Sequence, residues 1–229
     1  MKAIIKGTFV LAALFLAIST VTAQADYYKF EGFGGYSYMS LNRGIEDDEF
    51  DDVFSELPTN RVDAHGFNGS ITYNFNRYLG AKFDVTLHSF GEDFNSILTV
   101  NPPPPNQVVQ TFKTSQNSYQ YMGGVQFKDN AKEGSIFKPF GHALIGVADQ
   151  HYSIDQSNGN RLLDVNSTDW AFKFGGGLDI KVHKNIDIRA IGIDWNPIWR
   201  GDVETNTQFG TVSGTLQNNW IFNFGVVIH

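Results

Sequence analysis

This chain of 229 residues contains no cysteine, and charged residues make up only 18% of it. The missing cysteine excludes a disulfide framework, a thiolate metal site and a cysteine nucleophile. A formal net charge of −7 argues against a nucleic-acid partner, because binding phosphate requires a basic face. After residue 25 there is no long apolar run, so no transmembrane helix is predicted there. Aromatic residues (14%) and 23 glycines are plentiful, which favours β-structure.

The N-terminus has the pattern of a secretory signal peptide. Lys2 and Lys6 precede an apolar stretch from Phe9 to Ile18, and Ala23-Gln24-Ala25 then offers small residues for cleavage before residue 26. A second cleavage position follows Ala23. We therefore expect a signal peptide over residues 1–25 and one mature domain over residues 26–229. Removing the signal peptide takes away two lysines and changes the net charge from −7 to −9.

The mature chain repeats a period of two, which is the period of a β-strand with one apolar and one polar face. Five segments show it clearly: Phe67–Phe75, Leu79–Leu87, Tyr119–Phe127, Phe172–Val182 and Trp220–Ile228. Three more are less regular: Lys29–Leu41, Phe137–Tyr152 and Ile186–Trp195. The second of these is apolar on both faces, so its facing stays open. In the third the parity breaks after Ala190, and a β-bulge there would restore it.

The predicted connections alternate between long and short along the chain. In order they are Asn42–Arg61, Asn76–Tyr78, Gly91–Gln110, Asp129–Ser135, Ser153–Thr168, His183–Asn185 and Asn196–Gly210. Six of the seven prolines fall in the long connections, and only Pro139 lies in a predicted strand. An up-and-down transmembrane barrel has short turns at one end and long loops at the other. The sequence therefore predicts an all-β fold, an eight-stranded antiparallel up-and-down transmembrane β-barrel.

A soluble eight-stranded calyx is the competing architecture, with the apolar face inside. Charged residues share a face with the glycines and the Asn, Ser and Thr residues of their strands, and such a mixture suits the narrow interior of eight strands. The opposite face carries aromatic residues near the strand ends, as an aromatic girdle requires. These are Phe30, Tyr73, Phe75, Tyr119, Phe127 and Trp220. The pattern favours the polar face inside.

Four segments resemble the OmpA/OmpX-type outer-membrane β-barrel domain. They are KFEGFGGYSYMSL, YNFNRYLGAKFDV, KPFGHALIGVA and QNNWIFNFGVVIH. The resemblance covers essentially the whole mature chain and implies the outer membrane of a Gram-negative bacterium. Two departures are visible: no peptidoglycan-binding domain follows the last strand, and the outward register ends at Ile228 rather than on a terminal aromatic residue.

Charged side chains on the predicted inner face are the main candidates for a functional site. They are Glu31, Lys82, Asp84, Lys173, Asp179, Lys181, Asp187 and Arg189. We interpret them as an ion-pair network that plugs the lumen, because eight strands leave little space. A narrow or gated pore is the alternative interpretation of the same residues.

The first long connection is acidic, with seven carboxylates between Glu46 and Glu56. Carboxylate oxygens bind hard cations such as Ca²⁺. However, the loop lacks the spacing of an EF-hand, so we interpret it as a solvated acidic loop and predict no metal site.

Enzymatic motifs are weak. His151 and Ser153 share one strand face, an arrangement that outer-membrane lipid A deacylases use, but the residues around them do not resemble those enzymes. His88 and Ser89 are adjacent and face opposite sides, and His142 is the other histidine within a strand. No Gly-rich phosphate loop, H-E-x-x-H or G-x-S-x-G occurs, so no catalytic residue and no cofactor is predicted.

The sequence thus favours a non-enzymatic outer-membrane protein with an envelope-structural role or with loops that bind or adhere at the surface. Its expected partners are outer-membrane lipid and an extracellular ligand or host surface, and a monomer is expected. The alternatives are a small-solute pore and a lipid-modifying hydrolase.

Overall fold

The computed structural model describes residues 26–42, 61–97, 109–156, 161–201, 203–204, 211–212 and 216–229. Ten strands are present in these ranges: β1 (Phe30–Asn42), β2 (Arg61–Asn74), β3 (Leu79–Ile97), β4 (Val109–Lys128), β5 (Phe137–Gln156), β6 (Arg161–His183), β7 (Ile186–Trp199), β8 (Val203–Glu204), β9 (Thr211–Val212) and β10 (Leu216–Ile228). Eight of them close into an antiparallel barrel in the order β1-β10-β7-β6-β5-β4-β3-β2. The predicted eight-stranded barrel is confirmed, and β8 and β9 form a separate short hairpin in the last connection.

The stagger of the strands follows from the cross-strand registers. A path of directly paired residues runs once around the barrel and returns to β1 ten residues beyond its start: Phe30, Tyr73, Ala81, Val125, Ala143, Phe174, Trp195, Trp220 and Ser40. A stagger of this size tilts the strands from the barrel axis by about 35–45°. Residues that share a height inside the barrel therefore lie at shifted register positions on neighbouring strands.

The two faces of the barrel are as the alternation predicts. The outward side chains are apolar and exposed, and they include all six of the girdle aromatics named above. The inward face is buried and largely polar, so the soluble calyx is excluded. The outward apolar band is nine residues long in both β3 (Leu79–Leu87) and β4 (Tyr119–Phe127), which matches the length of a tilted transmembrane strand. Among the described residues, no helix is long and apolar enough to cross a membrane.

A β-bulge occurs in β7 at the predicted place. The register of β10 against β7 passes from Asn223↔Gly192 to Gly225↔Arg189, so Ala190 and Ile191 lie opposite a single residue of β10. Both side chains of the bulge are exposed. The extra residue lets β7 keep its charged side chains inside on both sides of the bulge.

The facing of β5, which its sequence leaves open, is set by its neighbours. Lys138, Phe140, His142 and Leu144 point inward and are buried. Leu144 pairs with Gly124 of β4, which belongs to the inward-facing set of that strand. The inner position of an apolar residue such as Leu144 could not be read from β5 alone.

The strands at the long-loop end are longer than predicted. β3 and β4 remain paired as far as Ile97↔Val109, and β5 and β6 as far as Asp155↔Arg161. The predicted connections Gly91–Gln110 and Ser153–Thr168 were therefore too long. Beyond the apolar band apolar and polar residues are mixed without a period of two, as in EDFNSI at the end of β3, so the signal disappears although the backbone pairing continues.

Pro197 was wrongly placed in a loop, because it lies within β7. It lies opposite Phe172 of β6, one step from the Ala171↔Ile198 pair. Proline has no N–H to donate to the ladder. The side-chain amide of Asn196 donates instead to the carbonyl oxygen of Phe172 at 2.8 Å.

Candidate functional site in the barrel interior

Lys128 is the centre of a lower ionic layer near the short-turn end of the barrel. Its Nζ lies 2.7 Å from Glu31 Oε2 and 2.7 Å from Asp179 Oδ2. Gln126 Nε2 donates to Glu31 Oε1 at 3.1 Å. These contacts join β4 to β1 and β6 across the lumen. Buried charges of this kind are tolerated because each one is paired and hydrogen-bonded.

The guanidinium group of Arg189 binds a carboxylate at its edge and lies between two aromatic rings. Its Nε donates to Asp179 Oδ1 at 2.9 Å, and a terminal nitrogen donates to Oδ2 at 3.2 Å. The guanidinium carbon lies 4.0 Å from the ring centroid of Phe33 and 4.0 Å from that of Phe140. A desolvated guanidinium between two aromatic faces combines cation–π attraction with a bidentate ion pair.

Two glycines leave room for these rings. A Cβ at Gly225 would lie 2.9 Å from Phe33 Cε2, and a Cβ at Gly177 would lie 2.9 Å from Phe140 Cε1. In both cases a neighbouring backbone oxygen would be closer still. A larger residue at either position would push the ring away from Arg189, so the glycines contribute to the position of the guanidinium.

Asp187 contacts two further side chains of the lower layer, one lysine and one histidine. Its Oδ2 lies 2.9 Å from Lys138 Nζ and 2.7 Å from His229 Nε2. The imidazole ring of His229 stacks on Tyr28, with the ring centroids 4.3 Å apart. His229 therefore points into the lumen rather than towards lipid.

A short segment before β1, Asp26–Lys29, crosses the short-turn opening below this layer. The backbone N–H of Tyr28 donates to the carbonyl of Asn130 at 3.0 Å, and Asn74 Nδ2 donates to the carbonyl of Tyr28 at 2.8 Å. The Tyr28 hydroxyl also donates to the carbonyl of Lys184. These partners follow β4, end β2 and follow β6, so the segment spans the opening and covers the lower layer.

A second ionic layer lies further from the short turns. Lys173 Nζ is 2.7 Å from Asp84 Oδ1 and donates to Thr86 Oγ1 at 2.7 Å. Lys82 Nζ is 3.8 Å from Asp84 Oδ2. On its other side Lys82 lies 3.3 Å from His142 Nδ1.

The ring of His142 connects this group to a second carboxylate. His142 Nε2 is 3.0 Å from Asp194 Oδ1, and Asn223 Nδ2 donates to Asp194 Oδ2 at 2.9 Å. Residues of β3, β5, β6, β7 and β10 therefore meet in one layer of close polar contacts.

The inner wall above the ionic layers is lined mainly by apolar and amide side chains. Two apolar clusters fill it, one of Met39, Leu41, Val62, Ala64 and Ile221, and one of Met122, Leu144, Ala148, Ala171 and Ile198. Amide pairs lie between them, with Gln120 Nε2 donating to Asn196 Oδ1 at 2.9 Å and Gln150 Nε2 to Gln217 Oε1 at 3.0 Å. The alternation already places Met122 and Ile221 on the inner face of their strands, but the two apolar clusters there were not predicted.

Seven of the eight predicted lumen residues lie in these layers, and all seven are buried: Glu31, Lys82, Asp84, Lys173, Asp179, Asp187 and Arg189. Lys181 does not join them. It lies at the short-turn end, where its Nζ donates to the backbone carbonyl of Lys132 at 2.7 Å. Lys181 pairs in register with the inward-facing Asp187, but among the described residues its Nζ forms no ion pair with the lower carboxylates.

Five further titratable residues of the layers were missed. They are Lys128, Lys138, His142, Asp194 and His229. Lys128 continues the inward parity of Gln126, and Asp194 follows the parity that the bulge restores, so the sequence did contain a signal for both. Lys138 and His142 required the facing of β5. Asp169 at the rim apart, the buried charged side chains of the described wall comprise five cations and five carboxylates.

His151 and Ser153, whose pattern the sequence analysis judged weak, have other hydrogen-bond partners among the described residues. Ser153 Oγ is 3.0 Å from Ser115 Oγ, and His151 contacts Asn166. A different pair, Ser37 Oγ and His88 Nε2, lies 2.9 Å apart. That pair is buried in the lumen, and His88 Nδ1 has no hydrogen-bond partner among the described residues.

Among the described residues, no group of three or more His, Asp or Glu side chains is arranged to hold a metal ion. The acidic segment Glu46–Glu56 lies outside the described residues.

Outside the membrane-spanning strands, Arg77 and Asp129 form an ion pair between two of the short turns. Arg77 donates to Asp129 from its Nε at 2.7 Å and from a terminal nitrogen at 2.6 Å. These hydrogen bonds hold the pKa of the Asp129 carboxyl below its usual range, and Asp129 in turn raises the pKa of Arg77. The pair joins the β2–β3 turn to the β4–β5 turn.

An apolar band on the outside, a buried polar wall on the inside and complete strand closure define a transmembrane β-barrel. The model of the outer membrane protein β-barrel domain matches residues 10–226. The chain belongs to this family, and its place is the outer membrane. No curated protein matches the chain.

Several solved structures are similar to this chain at low sequence identity. Ail of Yersinia pestis, in complex with the heparin analogue sucrose octasulfate, is 14% identical, with a TM-score of 0.45 over 88% of this chain and 100% of that chain. Neisserial surface protein A is 15% identical, with a TM-score of 0.47 over 89% and 98%. OprG of Pseudomonas aeruginosa is 11% identical, with a TM-score of 0.44 over 87% and 94%.

Proposed function

We propose that this protein is a non-enzymatic, monomeric outer-membrane barrel with a closed interior, which supports the envelope and presents its long connections outside the cell. Its signal peptide, residues 1–25, is removed on export. The short turns then face the periplasm and the long connections face outward, as in other barrels of this kind. The observation that carries the proposal is the filled lumen.

The side chains that fill the lumen oppose the passage of ions in two ways. An ion crossing the barrel would have to separate ion pairs in both ionic layers, where Lys128 and Lys173 each lie 2.7 Å from a carboxylate oxygen. It would then have to shed water to pass the apolar clusters of the upper wall, which has a large desolvation cost. The Asp26–Lys29 segment covers the remaining opening at the short-turn end.

Single-channel recording in planar bilayers tests the closed interior. The purified barrel is expected to show no steady conductance. Arg189→Ser, which removes the guanidinium between Phe33 and Phe140, is expected to produce brief openings, whereas Lys181→Ser at the turn end leaves the recordings silent. A large and stable conductance of the unmodified protein would favour the pore instead.

The hydrolase alternative would require a reachable nucleophile. Ser37 and His88 are within hydrogen-bond distance, but both are buried in the lumen, away from the lipid face. We therefore expect no release of fatty acid from phospholipid or glycolipid vesicles that contain the barrel.

The charge of the long-loop side defines the chemistry of a surface partner. Residues 43–63, 89–117, 149–169 and 200–215 contain 16 acidic and 5 basic side chains, a net charge of −11. Such a surface attracts cationic partners and repels polyanions, and both effects weaken with salt. A sulfated ligand such as the one bound to Ail is therefore disfavoured for this chain.

Titration with sucrose octasulfate, an anion, and with polylysine, a cation, distinguishes a preference for anionic partners from one for cationic partners. We expect polylysine to bind the folded barrel at low salt and to be released by about 0.5 M salt, where the Debye length is only a few ångström. Deletion of Glu46–Glu56 should weaken this binding. Saturable binding of sucrose octasulfate at physiological salt would contradict the expectation.

A further inference from the structure

A groove of about 620 Å³ lies on the outer wall of the barrel along β1, between β10 on one side and β2 and β3 on the other. Its outward residues form two rows across these strands: Ile228, Gly32, Ile71 and Phe83 in one row, and Val226, Gly34, Gly69 and Val85 in the other. Phe33 and Ser70 also border the groove, but their side chains are buried on the lumen side. The groove therefore opens towards lipid and has an apolar lining.

Three outward glycines create the groove, although the packing of the barrel does not require them. A Cβ at Gly32 or Gly34 would meet no heavy atom within 4 Å, and a Cβ at Gly69 would meet only the backbone oxygen of Phe33, at 3.8 Å. Gly35 on the same strand is different, because its Cβ would lie 2.1 Å from the backbone oxygen of Phe224. Glycine weakens a strand, and inside one it often marks the close approach of a ligand.

The two ends of the groove differ. Towards the long loops, the next outward row consists of large exposed side chains: Phe224, Tyr36 and Phe67. Towards the short turns, the rings of Phe30 and Tyr73, with centroids 5.2 Å apart, close the β1–β2 side. On the other side β10 ends at Ile228, and the ring of the next residue stacks on Tyr28 in the lumen. The groove is therefore open beside β10, at the short-turn boundary of the apolar band.

Two lysines flank this opening. Lys29 directly precedes β1 and Lys184 lies in the β6–β7 turn, and both are exposed. The Tyr28 hydroxyl donates to the carbonyl of Lys184, and the backbone N–H of His229 donates to the carbonyl of Asn185 at 3.0 Å. These bonds hold the β6–β7 turn against the ends of β1 and β10. Both lysines thus lie at the short-turn boundary, where lipid headgroups contact a barrel.

The carboxylates at this end of the barrel leave the two lysines uncompensated. Asp26 pairs with Lys132 at 2.8 Å and Asp129 pairs with Arg77 at 2.6 Å. The remaining one, Glu133, lies in the β4–β5 turn, across the barrel from β1 and β10. Residues 26–29, 75–78, 129–136 and 181–186 contain five basic and three acidic side chains, a net charge of +2. The short-turn end therefore attracts anions, in contrast to the acidic long-loop side.

We propose that the groove binds a phospholipid with an anionic headgroup, from the leaflet that the short turns contact. An acyl chain lies along the glycines and covers Val226 and Ile228, and the headgroup lies between Lys29 and Lys184. Each lysine near an anionic headgroup favours binding, whereas a zwitterionic headgroup brings a cation of its own and gains less. A second copy of the barrel, docked by the same face, would bring its own two lysines against this pair and be repelled.

Methyl NMR of the folded barrel in lipid nanodiscs tests the proposal. The nanodiscs contain phosphatidylcholine with increasing fractions of phosphatidylglycerol, and inorganic phosphate is the comparison. We expect the methyl signals of Val226 and Ile228 to shift and to saturate at a low fraction of phosphatidylglycerol. The methyl signals of Ile145, an exposed residue of β5 outside the groove, should show no saturable shift. About 0.5 M salt should weaken the response, because it screens the lysines.

Matched variants locate the binding. Gly34→Leu fills the groove without a clash at its Cβ and should abolish the saturable shift. Gly141→Leu is its control, because this outward glycine of β5 lies outside the groove and its Cβ would be at an ordinary 3.7 Å from the nearest atom. Lys29→Gln and Lys184→Gln should each weaken the binding of phosphatidylglycerol by about fivefold. Lys113→Gln, an exposed lysine at the long-loop end of β4, should leave it unchanged.

Several results would overturn the proposal: no saturable response to phosphatidylglycerol, an equal response in Gly34→Leu and the unmodified protein, or the same shifts with inorganic phosphate alone. Chemical cross-linking covers the remaining occupant. A dimer that forms without phosphatidylglycerol and is lost in Gly34→Leu would assign the groove to a second copy of the chain, against the proposal. None of these results depends on whether the lumen conducts, so failure here and failure of the closed interior are distinguishable.

Discussion

Replacing Arg189 by methionine removes a side chain of the lower layer that contacts residues of three strands: Phe33 of β1, Phe140 of β5 and Asp179 of β6. The change deletes a bidentate ion pair with Asp179 and two ring contacts at 4.0 Å. Removing one partner of a buried ion pair costs about 3–5 kcal/mol. Each desolvated cation–π contact adds up to about 2 kcal/mol.

Two features reduce this cost. Lys128 Nζ remains 2.7 Å from Asp179 Oδ2, so the carboxylate keeps one cation. The methionine side chain also fills part of the space between Phe33 and Phe140. We therefore expect Arg189→Met to lower the free energy of unfolding by about 3–5 kcal/mol, near the value for breaking a buried pair alone.

The assay is denaturant titration of the barrel folded into lipid vesicles, followed by tryptophan fluorescence. Arg189→Lys keeps the charge but loses the planar fork and the stacking, and should cost about 1–3 kcal/mol. Lys181→Met, a cation at the turn end, should change stability by less than about 1 kcal/mol. If Arg189→Met were as mild as Lys181→Met, the sandwiched ion pair would not stabilise the barrel and the reasoning would be refuted.

Other perturbations test the faces, the loops and one turn. Phe224→Lys places a charge against lipid and should cost about 2–4 kcal/mol in vesicles, whereas Asn223→Lys faces the lumen and should cost clearly less; equal costs would contradict the assigned facing. Deletion of Glu46–Glu56 should leave a folded, inserted barrel, as judged by heat-modifiable electrophoretic mobility, and loss of folding would show a structural role. Asp129 has a lowered pKa beside Arg77, so its contribution is present above the ordinary carboxyl pKa and is lost as pH falls through the lowered value. Stability measured against pH should therefore fall more steeply below about pH 4 for the unmodified protein than for Asp129→Asn, and parallel curves would refute the coupling.

The aromatic girdle and the inner polar face were predictable because side-chain facing in a strand is local. Two neighbouring residues such as Asn223 and Phe224 must point to opposite sides, whatever the rest of the chain does. The break in parity after Ala190 was equally local, and it correctly located the bulge. The alternation of short and long connections was enough to predict eight strands in an up-and-down order, although the strand ends beyond the apolar band were not predictable.

The pairing of charges inside the barrel was decided only by the tertiary structure. The height of each residue in the lumen decides whether a lysine such as Lys128 reaches a carboxylate or, like Lys181, donates to a backbone carbonyl instead. That height is set by eight cross-strand registers acting together, and a shift of one residue in any of them would change the partners. The ten-residue stagger brings Arg189 of β7 level with Phe33 of β1 and Phe140 of β5. The period-two alternation of the sequence determines whether a side chain faces the lumen or the lipid. Closure of the barrel determines which side chains it contacts there.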